Sequence, residues 1–506
     1  MSSLLKYMSL ITTFSVFAAL ISIVWQAFLS LKQLNKITQI LTGLLAIESQ
    51  LKRPWNDTNY SKPKVALGYG ACSDLLIHAT DFLNYSAAII PDNVGSEFTV
   101  DEVNDEAELL QTFAYYFRNG AAAERVMPNT ELFRQLIQLP KKQHRDSLQW
   151  FVGGNAPLMG IRFDKEGWEV LLGARISHKL RRLIPDTIKI AGDFIEEDDI
   201  HLILEYKAGE TWGPFTAPRA NRYILHNDHN NPHLNSLEHL QTAIETYKPD
   251  LFIISGIQMM DSYKFAEGIR EERLLKVNQQ INSLTKKTLI HFEMASYVEI
   301  ELLQHLKQFI LPYVDSLGMN EQELDNLAQV LEHGRTTLAS DWNPRVATTL
   351  DLMRKVFSIL AQDYYKNTTS MGQTKRRMVS RIHLHTLAYQ ALLTIKDSKW
   401  KNTKLGAAKA ALIAHRYVCQ TQVINPESAS LVLDDSFSTS LDPSKAERIA
   451  FDPLNPVPCW SETLQINAQK SLDIEICVAP VLVCRVAKKT AGAGDNISAA
   501  GLSQQL

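Results

Sequence analysis

The chain has 506 residues, 45% of them apolar and 21% charged, which suits a folded protein large enough to bury a sizeable core and more than one lobe. A formal charge of −3, with no long stripe of Lys and Arg, excludes a nucleic-acid binder. No fixed-period repeat and no long low-complexity tract occurs.

From Tyr7 to Leu31 there is no charged residue, and Lys6 and Lys32 flank the run. That length crosses a bilayer as a helix. Residues 1–32 therefore read as a retained membrane anchor or as a signal peptide, although no small-x-small cleavage site followed by a turn stands out. An amphipathic stretch from Leu34 to Leu51 follows, and residues 33–63 read as a stalk or linker. Either leader predicts the secretory pathway, at the endoplasmic reticulum membrane or lumen, or a secreted protein if the leader is cleaved. That compartment is oxidising. The five cysteines (Cys72, Cys419, Cys459, Cys477, Cys484) have no metal-type spacing, and an odd number cannot pair completely. Buried free thiols with a single bridge are expected. Asn56, Asn59, Asn84, Asn367 and Asn496 head glycosylation sequons, the last expected to stay unmodified.

Strand-like runs then alternate with helical ones. Val65–Tyr69, Glu169–Gly173, His201–Tyr206, Leu251–Gly256 and Leu289–Glu293 read as strands, several ending in Gly or an acid. Helical periodicity marks the segments near Glu102–Phe117, Leu234–Thr246, Ile269–Leu284 and Tyr297–Leu311. This pattern predicts a mostly parallel sheet covered on both faces, with ligands beyond the carboxyl ends of its strands. Parts of 75–225 are less regular and read as a smaller lobe that closes as a lid.

Four groups of residues suit phosphoryl transfer to a sugar. The segment Gly492-Ala493-Gly494-Asp495 precedes a short helix. Its glycines let main-chain N–H groups crowd one anion, and the helix dipole adds to them. Asp495 stands where it takes a proton from an attacking hydroxyl, and beside a helix N-terminus it is expected to be ionised. The competing reading is an Asp capping a terminal helix. Glu293 ends a strand, and Glu323 lies in Asn320-Glu321-Gln322-Glu323; both offer hard oxygens to Mg²⁺, mainly through water, while Asn-x-x-Glu is also a capping pattern. Asp74, Glu124 and Gly153-Gly154-Asn155 suit sugar hydroxyls, and a carboxylate at Glu124 repels a sugar that already carries phosphate. Arg222 suits a diphosphate clamp. His383 and His385 alternate along a strand, fitting packing or contact with the nucleotide base better than a metal.

Ten segments, in order over residues 64–506, carry a resemblance to a known family: Gly120 to Arg125, Phe151 to Ala156, His201 to Tyr206, Ala220 to Arg222, Pro249 to Leu251, Ser255-Gly256, Ser316 to Leu324, Arg381 to Thr386, Pro480 to Cys484 and Thr490 to Asp495. Together they resemble the ADP-dependent sugar kinases of the ribokinase-like superfamily, specifically the eukaryotic ADP-dependent glucokinase type. The resemblance implies a three-layer α/β/α sandwich with a smaller inserted α+β lid. It implies ADP as donor, D-glucose as acceptor, AMP and glucose 6-phosphate as products and Mg²⁺ as cofactor; a monomer is expected, although the sequence does not fix oligomeric state. It makes Asp495 the base and Gly492 to Gly494, with Ala493 between, the anion hole. It makes Glu293, Glu323 and Asp495 the magnesium-site acids. Asp74, Glu124, Gly153, Gly154 and Asn155 become glucose contacts, with Arg222 on the phosphates and His383 near the nucleotide. An ATP-dependent hexose or nucleoside kinase of the same fold is the nearest rival, and a non-catalytic, membrane-tethered sugar binder is the rival of another class.

Overall fold

The structure is a computed structural model, and it describes residues 2–50, 61–143, 149–335, 344–368 and 375–506. A ten-stranded sheet forms its centre. In spatial order the first seven strands are Lys189–Ala191, Glu169–Gly173, Lys64–Gly68, Leu251–Ile254, Leu289–Glu293, Ser316–Asn320 and Arg381–His385, all parallel. Tyr389–Ile395, Lys470–Pro480 and Cys459–Asn467 extend it antiparallel. The middle strands are covered on both faces: every residue of Leu251–Ile254 and Leu289–Glu293 is buried, the first run wholly apolar and the second carrying His291 and Glu293 toward its carboxyl end.

Helices Leu237–Tyr247, Ile269–Ser283, Ile300–Phe309, Glu321–His333 and Val346–Thr368 pack in succession along one face. On the other, Asn155–Lys165, Ala493–Ser503 and Thr403–Val418 lie side by side. The result is the three-layer α/β/α sandwich expected from the sequence.

The lid is a second, five-stranded sheet in the order Ala123–Val126, Asn221–His226, Ile200–Tyr206, Cys72–His78 and Gln149–Gly153. Helix Glu106–Asn119 covers it, capped by Asp105, whose side chain accepts the Glu108 amide. The lid has its own aromatic core, with Phe113, Phe117, Tyr206, Trp212 and Tyr223 in edge and tilted contacts. It runs from Cys72 to His226, while Glu169–Gly173 and Lys189–Ala191, inside that range, belong to the central sheet. The strand His201–Tyr206 therefore serves the lid and not the parallel sheet.

Ser2–Glu48 is one helix. Among the described residues it is the helix long and apolar enough to cross a membrane, and Phe17, Ile21, Val24, Trp25 and Phe28 are exposed on it. The amphipathic stretch that follows is docked. Ile37, Ile40, Leu41, Leu44 and Ile47 are buried in the main core, and the Glu48 carboxylate takes Arg416 at 2.7 and 3.0 Å and Lys409 at 2.9 Å. The apolar face read from the sequence has a partner, helix Thr403–Val418, more than 350 positions away in the chain.

Two bridges form rather than one, Cys419–Cys484 and Cys459–Cys477, and Cys72 remains a buried thiol. Of the sequon asparagines, Asn84 is exposed, Asn367 bonds the main-chain oxygen and carboxylate of Asp363 within its helix, and Asn496 is buried. Asn56 and Asn59 lie outside the described residues.

Candidate active site

The parallel strands end at one edge of the central sheet, and the residues after Gly68, Ile254, Glu293, Asn320 and His385 face the lid there. A polar cavity between the two lobes is walled by Asp74, Glu124, Gly154, Asn155, Arg222, Glu293, Glu323, Gly492, Gly494 and Asp495, among others. Ten positions named from the sequence, spread over more than 400 residues, thus converge on one space.

Helix Ala493–Ser503 begins at Gly492, whose φ of +73° a residue with a Cβ rarely adopts. Its first turn carries Asp495, only 8% exposed. Asn155 Nδ2 donates to Asp495 Oδ1 at 2.8 Å, and Gln258 Nε2 donates to Asn155 Oδ1 at 2.5 Å. The carboxyl is not the fully ionised group expected from its helix position. Burial pushes its pKa up to about 7, with the Glu293 charge adding to the rise; Asn155, His385 and Arg222 pull the other way. Desolvation outweighs the helix dipole, and the acid becomes a base matched to neutral pH.

Glu293 and Glu323 lie on the same wall. Burial alone would raise the Glu293 pKa, but hydrogen bonds and charge from His291 and His385 hold it well below the usual range. His291 Nε2 lies 2.8 Å from Glu293 Oε2, Ser498 Oγ donates to the same oxygen at 2.6 Å, and His385 Nε2 lies 3.5 Å from Oε1. Glu323 completes a capping box: it accepts the Asn320 amide at 2.9 Å and Asn320 Nδ2 at 2.8 Å, while Asn320 Oδ1 accepts the Gln322 and Glu323 amides. The capping reading holds, and it directs the carboxyl to the cavity. Burial pushes the Glu323 pKa up to about 7.

The acidic end of the cavity is more elaborate than its sequence signals. Asp74 sits beside Cys72, whose Sγ lies 3.3 Å from Oδ1, and burial raises its pKa to about 6. His201, in the sequence merely the first residue of a strand-like run, lines the cavity between Asp74, Glu124 and Asp228. Its Nε2 is 3.0 Å from Asp228 Oδ1 and its Nδ1 is 3.8 Å from Glu124 Oε1. Burial would lower its pKa, but those three carboxylates raise it to about 10 and keep the ring a cation. Asp228 is fixed in turn by Asn231 Nδ2 at 2.8 Å. Lone His and Asp residues far apart in sequence carried no signal for this pair.

Gly153 does not wall the cavity. It makes room for Asp74: a Cβ there would lie 1.8 Å from Asp74 Oδ1 and 2.6 Å from Cys72 Sγ. Gly153 therefore serves a side chain rather than the close approach of a flat ligand, while Gly154 walls the cavity. Replacing Gly153 by Ala is expected to displace the Asp74 carboxylate at a steric cost of about 1–3 kcal/mol, and to weaken any ligand that Asp74 holds about 10-fold or more. Calorimetric titration checks this, and an unchanged affinity would reject the arrangement.

Arg222 lies where the cavity opens into a larger, more apolar cleft of about 700 Å³. Its Nη1 donates to Asn221 Oδ1 at 3.2 Å, whereas its buried Nε has no hydrogen-bond partner among the described residues. The cleft is lined by Leu387, Val418, Val432, Val481 and Val483, with Ala493 and Gly494 at its inner end. An apolar slot leading to a cation and a helix N-terminus suits a nucleotide, base outermost. His383 does not reach it. That ring is fully buried behind helix Ala493–Ser503, with Nε2 3.2 Å from Gln390 Oε1, and His385 takes the place facing the cavity. Both rings share one face of the strand, but His383 lies one pleat further from its carboxyl end.

The description "ADP-specific Phosphofructokinase/Glucokinase conserved region" matches residues 63–504. A bovine (Bos taurus) protein named ADP-dependent glucokinase is 33% identical over 474 residues, 91% of this chain and 88% of its own length. A Caenorhabditis elegans protein named probable ADP-dependent glucokinase is 30% identical over 448 residues, 87% and 84% of the two chains. Among solved structures, an ADP-dependent kinase in complex with fructose 6-phosphate and ADPβS superposes with a TM-score of 0.59 at 17% identity, covering 92% of this chain and 97% of that one. A hypothetical ADP-dependent phosphofructokinase from Pyrococcus horikoshii gives 0.53 at 15%, covering 88% and 98%.

Proposed function

This chain belongs to the ADP-specific phosphofructokinase/glucokinase family, and on that premise we propose that it moves the β-phosphoryl of ADP to the 6-hydroxyl of D-glucose, giving AMP and glucose 6-phosphate. At the coarser level it is an ADP-dependent sugar kinase. The observation that carries the finer reading is the meeting of Asp495, Asn155 and the Gly492–Gly494 segment at the junction of a carboxylate-lined polar cavity and an apolar cleft.

Asp74 and Glu124 accept from sugar hydroxyls, and the His201 cation donates to one. The acidic lining of this end favours an unphosphorylated hexose over a sugar phosphate. Asp495 takes the proton of the 6-hydroxyl as the oxygen attacks. In a loose transition state that proton leaves late, so a pKa near neutral suffices. Arg222 and the amides at the head of helix Ala493–Ser503 receive the charge on the transferring phosphoryl group. The lid keeps water out while the group moves.

The donor set fits Mg²⁺, since three carboxylates, Glu293, Glu323 and Asp495, line one cavity. Glu293 Oε2 and both Glu323 oxygens are already hydrogen-bonded within the protein, which favours contact through water. Bound there, the ion would neutralise charge on the phosphates. The exposed apolar residues between Phe17 and Leu31 and the two disulfides support a membrane-anchored kinase of the secretory pathway.

A coupled assay comparing ADP with ATP as donor and glucose as acceptor tests this reading. Glucose 6-phosphate with one AMP per turnover is the expected result. Turnover only with ATP would establish the rival kinase, and sugar binding without product would establish a non-catalytic binder.

A further inference from the structure

In an ADP-dependent glucose kinase, the function proposed for this chain, the base and the anion site must be assembled when the lid shuts. We propose that Glu205 couples these two events, as a positioning residue through which the lid seats the segment leading into the base helix. Glu205 projects from the lid strand Ile200–Tyr206 and walls neither the polar cavity nor the apolar cleft. Its Oε1 accepts three hydrogen bonds from the other lobe: Thr490 N at 2.7 Å, Thr490 Oγ1 at 2.8 Å and Ala491 N at 3.0 Å. A carboxylate acceptor makes such bonds stronger than neutral ones.

A neighbouring contact joins the same two parts. Lys489 Nζ lies 3.9 Å from the centre of the Phe151 ring, on the lid strand Gln149–Gly153, within reach of the Asp74 and Glu205 charges. From the main lobe, Tyr417 Oη donates to the Ala491 carbonyl at 2.7 Å. The segment is thus held through its N–H groups by the lid and through a C=O by helix Thr403–Val418.

The position of this segment sets the start of the base helix. The Thr490 carbonyl accepts the Ala493 amide at 3.2 Å, which closes the turn into that helix. Glu205 occupies the amides of Thr490 and Ala491. Among the groups left to receive a phosphoryl oxygen are the amides of Gly494 and Asp495, which have no acceptor within their own helix. When the lid swings away, Glu205 goes with it and the segment loses three bonds at once. Lid opening therefore dismantles the anion site as well as uncovering it.

The test uses the full-length chain with Glu205→Ala, Glu205→Gln, Thr490→Val and the Glu205→Ala/Thr490→Val pair. Glu205→Ala is expected to lower kcat about 10²-fold at saturating ADP and glucose, the scale of an ångström-sized misplacement. Its glucose affinity without nucleotide and its Tm should stay native. Glu205→Gln, which keeps an oxygen at the same place, should recover most of the loss. Thr490→Val should cost less alone and nothing further on top of Glu205→Ala. A native kcat in Glu205→Ala would overturn the proposal. So would a fall in ADP KM at unchanged kcat, which would make Glu205 a competitor for the phosphate site, and so would losses of Tm and glucose affinity that Gln does not restore. If the native chain itself yields no AMP and glucose 6-phosphate, the premise fails before the variants are compared.

Discussion

An Asp495→Asn protein is expected to fold and bind glucose as the native chain does, and to turn over about 10³-fold more slowly, within the range for loss of a positioned base. The amide keeps the shape of the carboxyl, and its oxygen can accept from Asn155 Nδ2 as the carboxylate does at 2.8 Å, with Asn155 still receiving Gln258 at its own oxygen. The proton acceptor alone is lost. In the native enzyme kcat/KM should rise with pH through about 7 as Asp495 ionises; the residual activity of the variant should lack that limb. Stability provides a second readout of opposite sign. A carboxyl whose pKa is raised on folding, from an ordinary value near 3.8 to about 7, holds its proton more tightly in the folded state. It therefore contributes stability at pH below the unfolded pKa and loses it as pH climbs through the folded one. At pH 8 the Asn variant should melt higher than the native chain, and below pH 4 the two should agree. A variant that is inactive but destabilised at every pH would point to a packing role instead.

The second large effect is expected at Arg222. Its buried Nε has no hydrogen-bond partner among the described residues, and its place between cavity and cleft supports the proposed contact with the donor's phosphates. Replacing it by Ala should lower kcat/KM for ADP about 10³-fold, at the low end of the range known for arginines that stabilise a transferring phosphoryl group. Glucose affinity measured alone should not fall, because the proposed sugar contacts are Asp74, Glu124 and His201, which line the cavity beside it. Arg222→Lys should recover only part of the loss, since an ammonium lacks the planar fork. Kinetics with each substrate varied in turn would read this, and equal losses for glucose and ADP would remove Arg222 from the phosphate path.

Much of this architecture was legible in the sequence because it is local. Runs such as Leu251–Phe252–Ile253–Ile254 are buried on both faces and read as strands without reference to anything else. Asp495 and Gly492 were legible because a glycine turn and a helix start are contiguous. The docked half of the first helix was not, because its apolar face reads the same whether its partner is solvent-shielding protein or nothing. The role of Gly153 was hidden for a similar reason: the side chain it accommodates, Asp74, lies 79 positions earlier (153 − 74) and meets it only across two antiparallel strands. The charge state of the site was misread from position alone. A helix N-terminus favours an ionised Asp, but full burial beside Glu293 reverses the balance. His201 and Asp228 form a pair that only the fold creates, through a strand and the loop after its neighbour.

The most direct test of the central claim is a crystal structure of the chain closed on glucose and a non-transferable ADP analogue. The account predicts one Asp495 carboxylate oxygen within hydrogen-bond distance of the glucose 6-oxygen, with the amides of Gly494 and Asp495 directed at the β-phosphate. A shut lid with Asp495 turned away from that oxygen, or with the phosphate beyond the reach of those amides, would contradict it.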